Sequence, residues 1–288
     1  MSTYKIVTDS ACDLPKAMLQ ELDVTTVALT VNFRGETKAD SVADAEVKEL
    51  YDAMRAGEVA TTAAVNPDGW ACVMEPVLAA GNDVLVMAFS SGLSTTCQSA
   101  QIAAAELRES YPQRQILVVD TLCASMGQGL LVWYACRKRS AGAGLTEVYN
   151  WVQDSKLHLC HWFTVDDLFF LKRGGRINAA TALVGTMLNI KPVLHVDDEG
   201  HLISVSKARG RKASIEALAK KISELDGGFD NSTMAISHGD CREDAEYLAK
   251  LLKEKYGAKE VIINYVGAVI GSHSGPGTLA LFFLGKHR

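Results

Sequence analysis

Asp83-Val84-Leu85-Val86-Met87-Ala88-Phe89-Ser90-Ser91-Gly92-Leu93-Ser94 is the stretch that decides how this chain is read. After Asp83 the residues are apolar as far as Phe89, without alternation, which reads as a parallel strand buried on both faces. Ser90 to Ser94 forms a small, hydroxyl-rich loop, and Thr95 to Leu107 reads as a helix. A loop between a strand end and a helix start leaves backbone N–H groups without intrahelical partners, and the helix dipole adds to their preference for an anion. In open α/β sheets the ligand crevice also lies at the carboxyl ends of the strands. The stretch therefore predicts an anionic head group near Ser94. The competing reading is that Ser91 or Ser94 merely caps the helix.

Outward from this stretch the same alternation continues. Tyr4 to Thr8 reads as a strand rather than a signal peptide. Asp9 and Asp13 follow; either could serve a ligand or metal, but Asp13 with Leu14-Pro15 reads more simply as a helix cap. Val24 to Phe33 reads as a strand, Arg34-Gly35-Glu36 as a turn, and Ser41 to Asp44 as a capping box for a helix that Gly57 stops. Thr61 and Thr62 fall in an expected loop before a helix capped by Asn66 with Pro67 at its first position. Pro76 should kink or shorten that helix. Gln115 to Val119 is a strand, Ser125 opens a long apolar helix, and Thr146 to His158 reads as a connecting helix. Gly127-x-Gly129 lacks the third glycine of a dinucleotide fingerprint.

The second half changes character. Leu159 to Val165 is a strand, and Asp166 to Arg173 a short helix ended by Gly174-Gly175. Asn178 to Leu188 is a small-residue helix, and Lys191 to Val196 with His201 to Ser206 a hairpin. Lys207 to Lys212 is a basic run at a helix start. Ala213 to Leu225 and Arg242 to Tyr256 are helices; Met234 to Ser237, Val261 to Val266 and Thr278 to Phe283 are strands. Gly271 to Gly277 reads as a loop between strands, carrying His273. The expected fold is α/β in two domains: 1–159 with a mainly parallel sheet and flanking helices, and 160–288 with a mixed sheet and helices.

Composition narrows the function. A hydrophobic fraction of 48% and a charged fraction of 22% suit a globular protein with a full core. A net charge of −5 disfavours nucleic acid or an anionic membrane as the main partner. The uncharged stretch 261–285 is long enough to span a bilayer, but its glycine- and proline-rich middle argues against an integral membrane segment. Seven cysteines with no CxxC pair fit reduced thiols in a cytoplasmic protein, without zinc or disulfides. There is no G-x-S-x-G, no phosphate-binding G-x-x-x-x-G-K-[ST] and no H-E-x-x-H. His158 and His161 read as incidental. What remains is a set of hydroxyls (Thr61, Thr62, Ser90, Ser91, Ser94), His273, and Arg176 behind two glycines. That set can bind a carboxylate or phosphate. Arg176 could instead cap the preceding helix or pair with Asp166 or Asp167. A hydrolase using Ser94 and His273 is the weaker reading, because no acid is in view to orient the histidine.

The motifs as a set resemble the DegV family, and within it the fatty-acid-binding subunits of bacterial fatty acid kinase. They are Val7-Thr8-Asp9-Ser10 with Asp13-Leu14-Pro15, Ser90-Ser91-Gly92-Leu93-Ser94 with Gln98-Ser99-Ala100, and Gly127-Gln128-Gly129. Further on come Asp166-Asp167-Leu168 through Leu171-Lys172-Arg173-Gly174-Gly175-Arg176-Ile177, Leu188-Asn189-Ile190-Lys191-Pro192, Lys207 to Ala213, and Val269 to Gly277. They span almost the whole chain. The resemblance implies a long-chain fatty acid in a tunnel between two domains. Its carboxylate would meet Thr62, the Ser94 hydroxyl, the Thr95 backbone N–H and His273. It also implies no cofactor, no catalytic residue of the chain's own, and a separate ATP-dependent kinase partner engaged through Arg176. Three motifs depart from the family's usual form. Thr-Ser-Gln-Pro-Ser-Pro appears as Thr62-Ala63-Ala64-Val65-Asn66-Pro67, the Ser-Gly-Thr after leucine as Ser94-Thr95-Thr96, and His-Thr-Gly-Pro-Gly as His273-Ser274-Gly275-Pro276-Gly277. Thr, Ser and His survive in all three. The alternatives are a Ser/His-dependent phosphotransferase or hydrolase, and a lipid-responsive regulatory protein with a partner on the Lys207–Lys212 edge.

Overall fold

The computed structural model describes residues 3–40, 44–177 and 189–288. β1 (Tyr4–Asp9) leads through a 3-10 turn into α1 (Lys16–Glu21) and β2 (Val24–Val27). Next come β3 (Thr30–Phe33), β4 (Glu36–Ala39), α2 (Asp44–Arg55), β5 (Thr61–Ala63) and α3 (Pro67–Ala79). β6 (Asp83–Ala88), α4 (Thr96–Ser110), β7 (Ile116–Asp120), α5 (Met126–Ser140) and α6 (Leu145–Ser155) complete the first half. Strands β2-β1-β6-β7 form a wholly parallel sheet in that order. β6 is buried along its length because both faces are covered. Val84, Val86 and Ala88 pack with Trp70, Met74, Ala100 and Ala103 of α3 and α4. Leu85 and Met87 pack with Leu130, Leu131 and Val148 of α5 and α6. Two covered faces explain the unbroken apolar run in the sequence.

The stretch 24–33 is two strands, not one. Leu29 donates its N–H to Ser10 Oγ (3.1 Å) at the break. β3 then leaves the parallel sheet and pairs antiparallel with β4 and β5 in a separate three-stranded sheet. The turn at Arg34-Gly35 has φ of 51° and 78°, the left-handed pair that a two-residue hairpin turn demands. Thr61 and Thr62 therefore belong to a strand rather than a loop. Asn66 caps α3 by accepting from Gly69 N–H (2.8 Å), as expected, and the helix ends one turn beyond Pro76. Asp13 does not cap α1; Pro15 occupies that position, and Asp13 is buried with φ 52°. The expected capping box at Ser41–Asp44 falls mostly outside the described residues, and the expected helix at 178–188 wholly so.

The second half begins with β8 (Leu159–Thr164), α7 (Phe169–Arg173), β9 (Ile190–Val196) and β10 (Leu202–Arg209). It continues with α8 (Arg211–Glu224), β11 (Thr233–His238), α9 (Arg242–Tyr256), β12 (Glu260–Tyr265), α10 (Ala268–Ser274) and β13 (Leu279–Leu284). The six-stranded sheet has the order β10-β9-β8-β13-β11-β12 and is mixed, β11 and β12 being its parallel pair. Side chains alternate between its faces. Cys160, Trp162, Leu279, Leu281 and Phe283 join Met234 and Ile236 against α8 and α9. His161, Phe163, Ala280, Phe282, Ser237 and Val196 face the other way, into a cavity.

Two expectations fail here. The basic run is divided, Lys207 to Arg209 ending edge strand β10 and Arg211 opening α8. The glycine-rich stretch around His273 is helical from Ala268 to Ser274. Glycine within a helix costs roughly 1 kcal/mol relative to alanine. Burial of Ala268 and Val269 in the core opposes that cost, and Ser272 Oγ is satisfied on Ala268 O (2.7 Å). Gly275, with φ 82°, and Pro276 stop the helix.

Candidate functional site

The cavity encloses about 280 Å³ and is lined from three directions. The parallel sheet contributes the loop after β6, the small antiparallel sheet contributes β5, and the mixed sheet contributes part of one face with α10. Its walls are mostly apolar: Leu29, Phe89, Leu93, Phe163, Leu171, Val196, Leu202, Val266, Ile270 and Phe282 are among them. This volume lies near the lower end of the ~300–1,000 Å³ common for small-ligand sites.

Thr62, Ser94, Thr95, Arg176 and His273 all line this cavity. Thr62, placed by β5, bonds through Oγ1 to His273 Nε2 (2.8 Å). His273 lies in the last turn of α10, where the start of the Gly174-Gly175 pair lets its ring close up. A Cβ on Gly174 would fall under 3.0 Å from His273 Nδ1. Ser94 accepts from Thr96 N–H (3.2 Å) at the start of α4, and its hydroxyl also meets Thr96 Oγ1 (2.8 Å). Thr95 occupies the N-cap position of α4, so Ser94 braces the helix start from one residue before it and lines the cavity at once. Arg176 donates from Nε to Leu93 O (3.3 Å) and from Nη1 to Gly174 O, so it ties the GGR turn to the serine loop. It pairs with neither Asp166 nor Asp167; Asp166 meets Lys191 and Arg211 instead.

Burial pushes His273 down to about 4, and the nearby Arg176 and Arg173 cations push in the same direction. The ring is neutral at neutral pH. Burial also lowers Arg176 from its usual value, but a guanidinium stays charged. The polar part of the wall therefore offers hydroxyls, a neutral imidazole and a cation. The bonds of Ser94 and His273 run to Thr96 and Thr62, and neither joins the two as a nucleophile and its base. Among the described residues no cluster of three or more His, Cys, Asp or Glu is placed to hold a metal. Asp9 accepts from Ala11 N–H (3.1 Å) and Phe89 N–H (2.8 Å), a structural use at the end of β6.

Sequence reasoning missed several polar cavity residues, among them Ser274, His161 and Ser237. Ser274, only 4% exposed, lines the cavity, and its Oγ has no hydrogen-bond partner among the described residues. A buried hydroxyl left unpaired costs about 1–3 kcal/mol, so it is a ready ligand contact. Its helical neighbourhood was hidden by the reading of this stretch as a loop. His161, read as incidental at a helix end, lies on β8 facing the cavity, two residues from Phe163 on the same face. Strand alternation was the available signal. Ser237 at the end of β11 was assigned only as a strand residue.

A family model described as an uncharacterised protein of the DegV family matches residues 3–286. A DegV domain-containing protein of Clostridium perfringens is 44% identical over 99% of this chain and 98% of its own length. A Thermus thermophilus structure, described as fatty acid binding of a DegV family protein, is similar with a TM-score of 0.87. It is 33% identical, with 98% of this chain and 99% of that one covered. A stearic acid-binding protein from Eubacterium ventriosum superposes with a TM-score of 0.85 at 26% identity, covering 99% of each chain.

Proposed function

Because the chain belongs to the DegV family, and because its apolar cavity carries a cluster of hydroxyls, a histidine and an arginine, we propose that it binds a long-chain fatty acid. The observation that carries the reading is the pairing of Thr62 with His273 on the wall of an otherwise apolar cavity. The carboxylate is held by Thr62, Ser94, the Thr95 N–H and His273, with Ser274 as a further contact. Residues 1–159 and 160–288 supply opposite walls of the tunnel. An acyl chain of ~14 methylenes gains on the order of 11 kcal/mol gross on leaving water. Ordering the chain and desolvating the carboxylate offset part of this. The neutral donors hold the anion by charge-assisted hydrogen bonds. The incoming carboxylate draws His273 back up from its depressed value.

The protein is a cytoplasmic carrier without catalytic residues or cofactor of its own. It presents the carboxylate to a separate ATP-dependent kinase, which converts it to an acyl phosphate for phospholipid synthesis. Arg176 lies between the serine loop and α7, whose Phe169 is exposed beside Arg173 (5.9 Å), a surface suited to that partner. Organic extraction with native mass spectrometry tests the binding. A near-stoichiometric fatty acid is expected, and its loss in the Ser94→Ala/His273→Ala double variant. No lipid after incubation with palmitate and oleate, or undiminished binding by the double variant, refutes the site. ATP-dependent acyl-phosphate formation on adding a fatty acid kinase, and none without it, tests the carrier role.

A further inference from the structure

A second polar cluster faces the same cavity where an acyl chain needs none. Ser125, Ser237 and His161 line the wall and are 5%, 0% and 2% exposed. Ser125 Oγ bonds to Asp13 Oδ2 and to Ser237 Oγ (2.9 Å). His161 Nδ1 meets Leu159 O (2.9 Å), which fixes the proton there and leaves Nε2 as an acceptor, met by Ala124 N–H at 3.3 Å. Ser125 has φ 54° and ψ −146°, a conformation that glycine favours and serine rarely adopts. Strain of this kind persists where the surroundings over-determine it.

β13 gives the distance from the carboxylate end. Thr278 Oγ1 bonds to Ser274 O (3.0 Å), beside His273. Ala280 and Phe282 face the cavity two and four residues further along, opposite Ser237 and His161 respectively. At ~3.4 Å per residue the cluster lies roughly 7 to 14 Å from the level of Thr278. An extended chain advances ~1.2 Å per bond, by the geometry that gives ~3.6 Å per three-bond residue, so the cluster faces the middle of a long acyl chain.

We propose that Ser125 and Ser237 form a subsite for a hydroxyl on the middle of the acyl chain, walled by His161, both of whose ring nitrogens are already paired. This rests on the fatty-acid reading above. Each serine has one proton. With Asp13 ionised, Ser125 donates to it and Ser237 donates to Ser125, so the cavity meets lone pairs. With Asp13 protonated the order reverses, and Ser237 O–H points onward as a donor. A ligand hydroxyl both donates and accepts, and satisfies either arrangement; a keto or ether oxygen satisfies only the second. Burial does raise Asp13 well above the usual carboxylate range.

The test measures affinities of octadecanoic acid and of its hydroxy derivatives, substituted at mid-chain or at the terminus, by displacement of a fluorescent fatty acid. A purely apolar tunnel would bind the mid-chain derivative roughly 5- to 150-fold more weakly than the parent, since the hydroxyl is buried unpaired. The expected result is equal or tighter binding of the mid-chain derivative, and weaker binding of the terminal one. Ser237→Ala should shift the ratio of mid-chain derivative to parent acid roughly three- to tenfold against the mid-chain derivative. A fivefold or larger preference of the wild-type protein for the parent over the mid-chain derivative overturns the inference, as does an unmoved ratio in folded Ser237→Ala. The wild-type series decides the matter if the variant does not fold. Failure of the parent acid itself to bind refutes the fatty-acid reading instead.

Discussion

Replacing Gly174 by alanine isolates the head-group geometry from stability. Gly174 ends α7 with φ −71° and ψ −10°, ordinary right-handed backbone that alanine adopts freely. By itself the change should be neutral or stabilise by about 0.4–1 kcal/mol, because alanine has less freedom to lose on folding. The cost falls on His273. The added Cβ would lie under 3.0 Å from Nδ1 and 3.1 Å from Cγ of the ring. Restoring ordinary contact moves the ring by roughly 1 Å, since carbon contacts are optimal near 3.5–4.0 Å. The Thr62–His273 bond is 2.8 Å long, so the same displacement taken along it leaves no hydrogen bond. The displaced ring also withdraws its proposed hydrogen bond from the bound carboxylate, and losing one bond to a charged group costs about 1.5–3 kcal/mol, or roughly 10- to 150-fold in affinity. Gly175 is the control: its φ is 69°, and a Cβ there meets nothing within 4 Å. Gly175→Ala should therefore lose about 1–2 kcal/mol of stability and keep its affinity. Titration of palmitate into both variants, with Tm measured alongside, separates the two effects. Binding by Gly174→Ala within twofold of wild type at unchanged Tm would refute the reasoning.

The other predictions concern the rest of the wall. Arg176→Ala should retain bound fatty acid on extraction but reduce acyl-phosphate formation at limiting kinase roughly 30-fold, as loss of an interface hot-spot arginine worth about 2 kcal/mol does; unimpaired formation removes Arg176 from the partner site. Ala280→Leu inserts three carbons into the cavity face of β13, so long acids should bind at least tenfold more weakly than short ones relative to wild type, with about 1–3 kcal/mol of overpacking; an unchanged chain-length profile measured by displacement assay places the tunnel elsewhere. Stability should rise as pH falls from about 8 to about 7, because burial raises Asp9 to about 7 and Asp13 well above its usual range. The folded protein takes up protons there that the unfolded chain does not bind, a gain of at most about 1.4 kcal/mol per pH unit for each group; His273, His195 and His161, all lowered, oppose it increasingly as pH falls toward about 6.5, where unfolded imidazoles protonate, and a flat or falling Tm between about pH 8 and 7 contradicts the assignment.

The parallel sheet was legible because its strands are covered on both faces and so read as continuous apolar runs, Val84 to Phe89 above all. The mixed sheet was legible as separate strands, but which face of each strand meets the ligand was not. That depends on β13 lying between β8 and β11, a pairing across more than a hundred residues on one side. His161, Ser237 and Ala280 share a face only because of it. Local propensity also misled where tertiary contacts override it. Thr61 and Thr62 are strand residues because β3 is there to pair with them. Gly271 and Ser272 are helical because Ala268 and Val269 are buried on one side of their helix. Because Thr95 occupies the N-cap position, the cap reading fails at Ser94. Its hydroxyl accepts from Thr96 N–H along one direction and still lines the cavity, because a hydroxyl has two lone pairs and a rotatable proton. That bond at the helix start orients Ser94 on the cavity wall, so a local helix-start signal and the position that the head-group reading proposes lie in one residue.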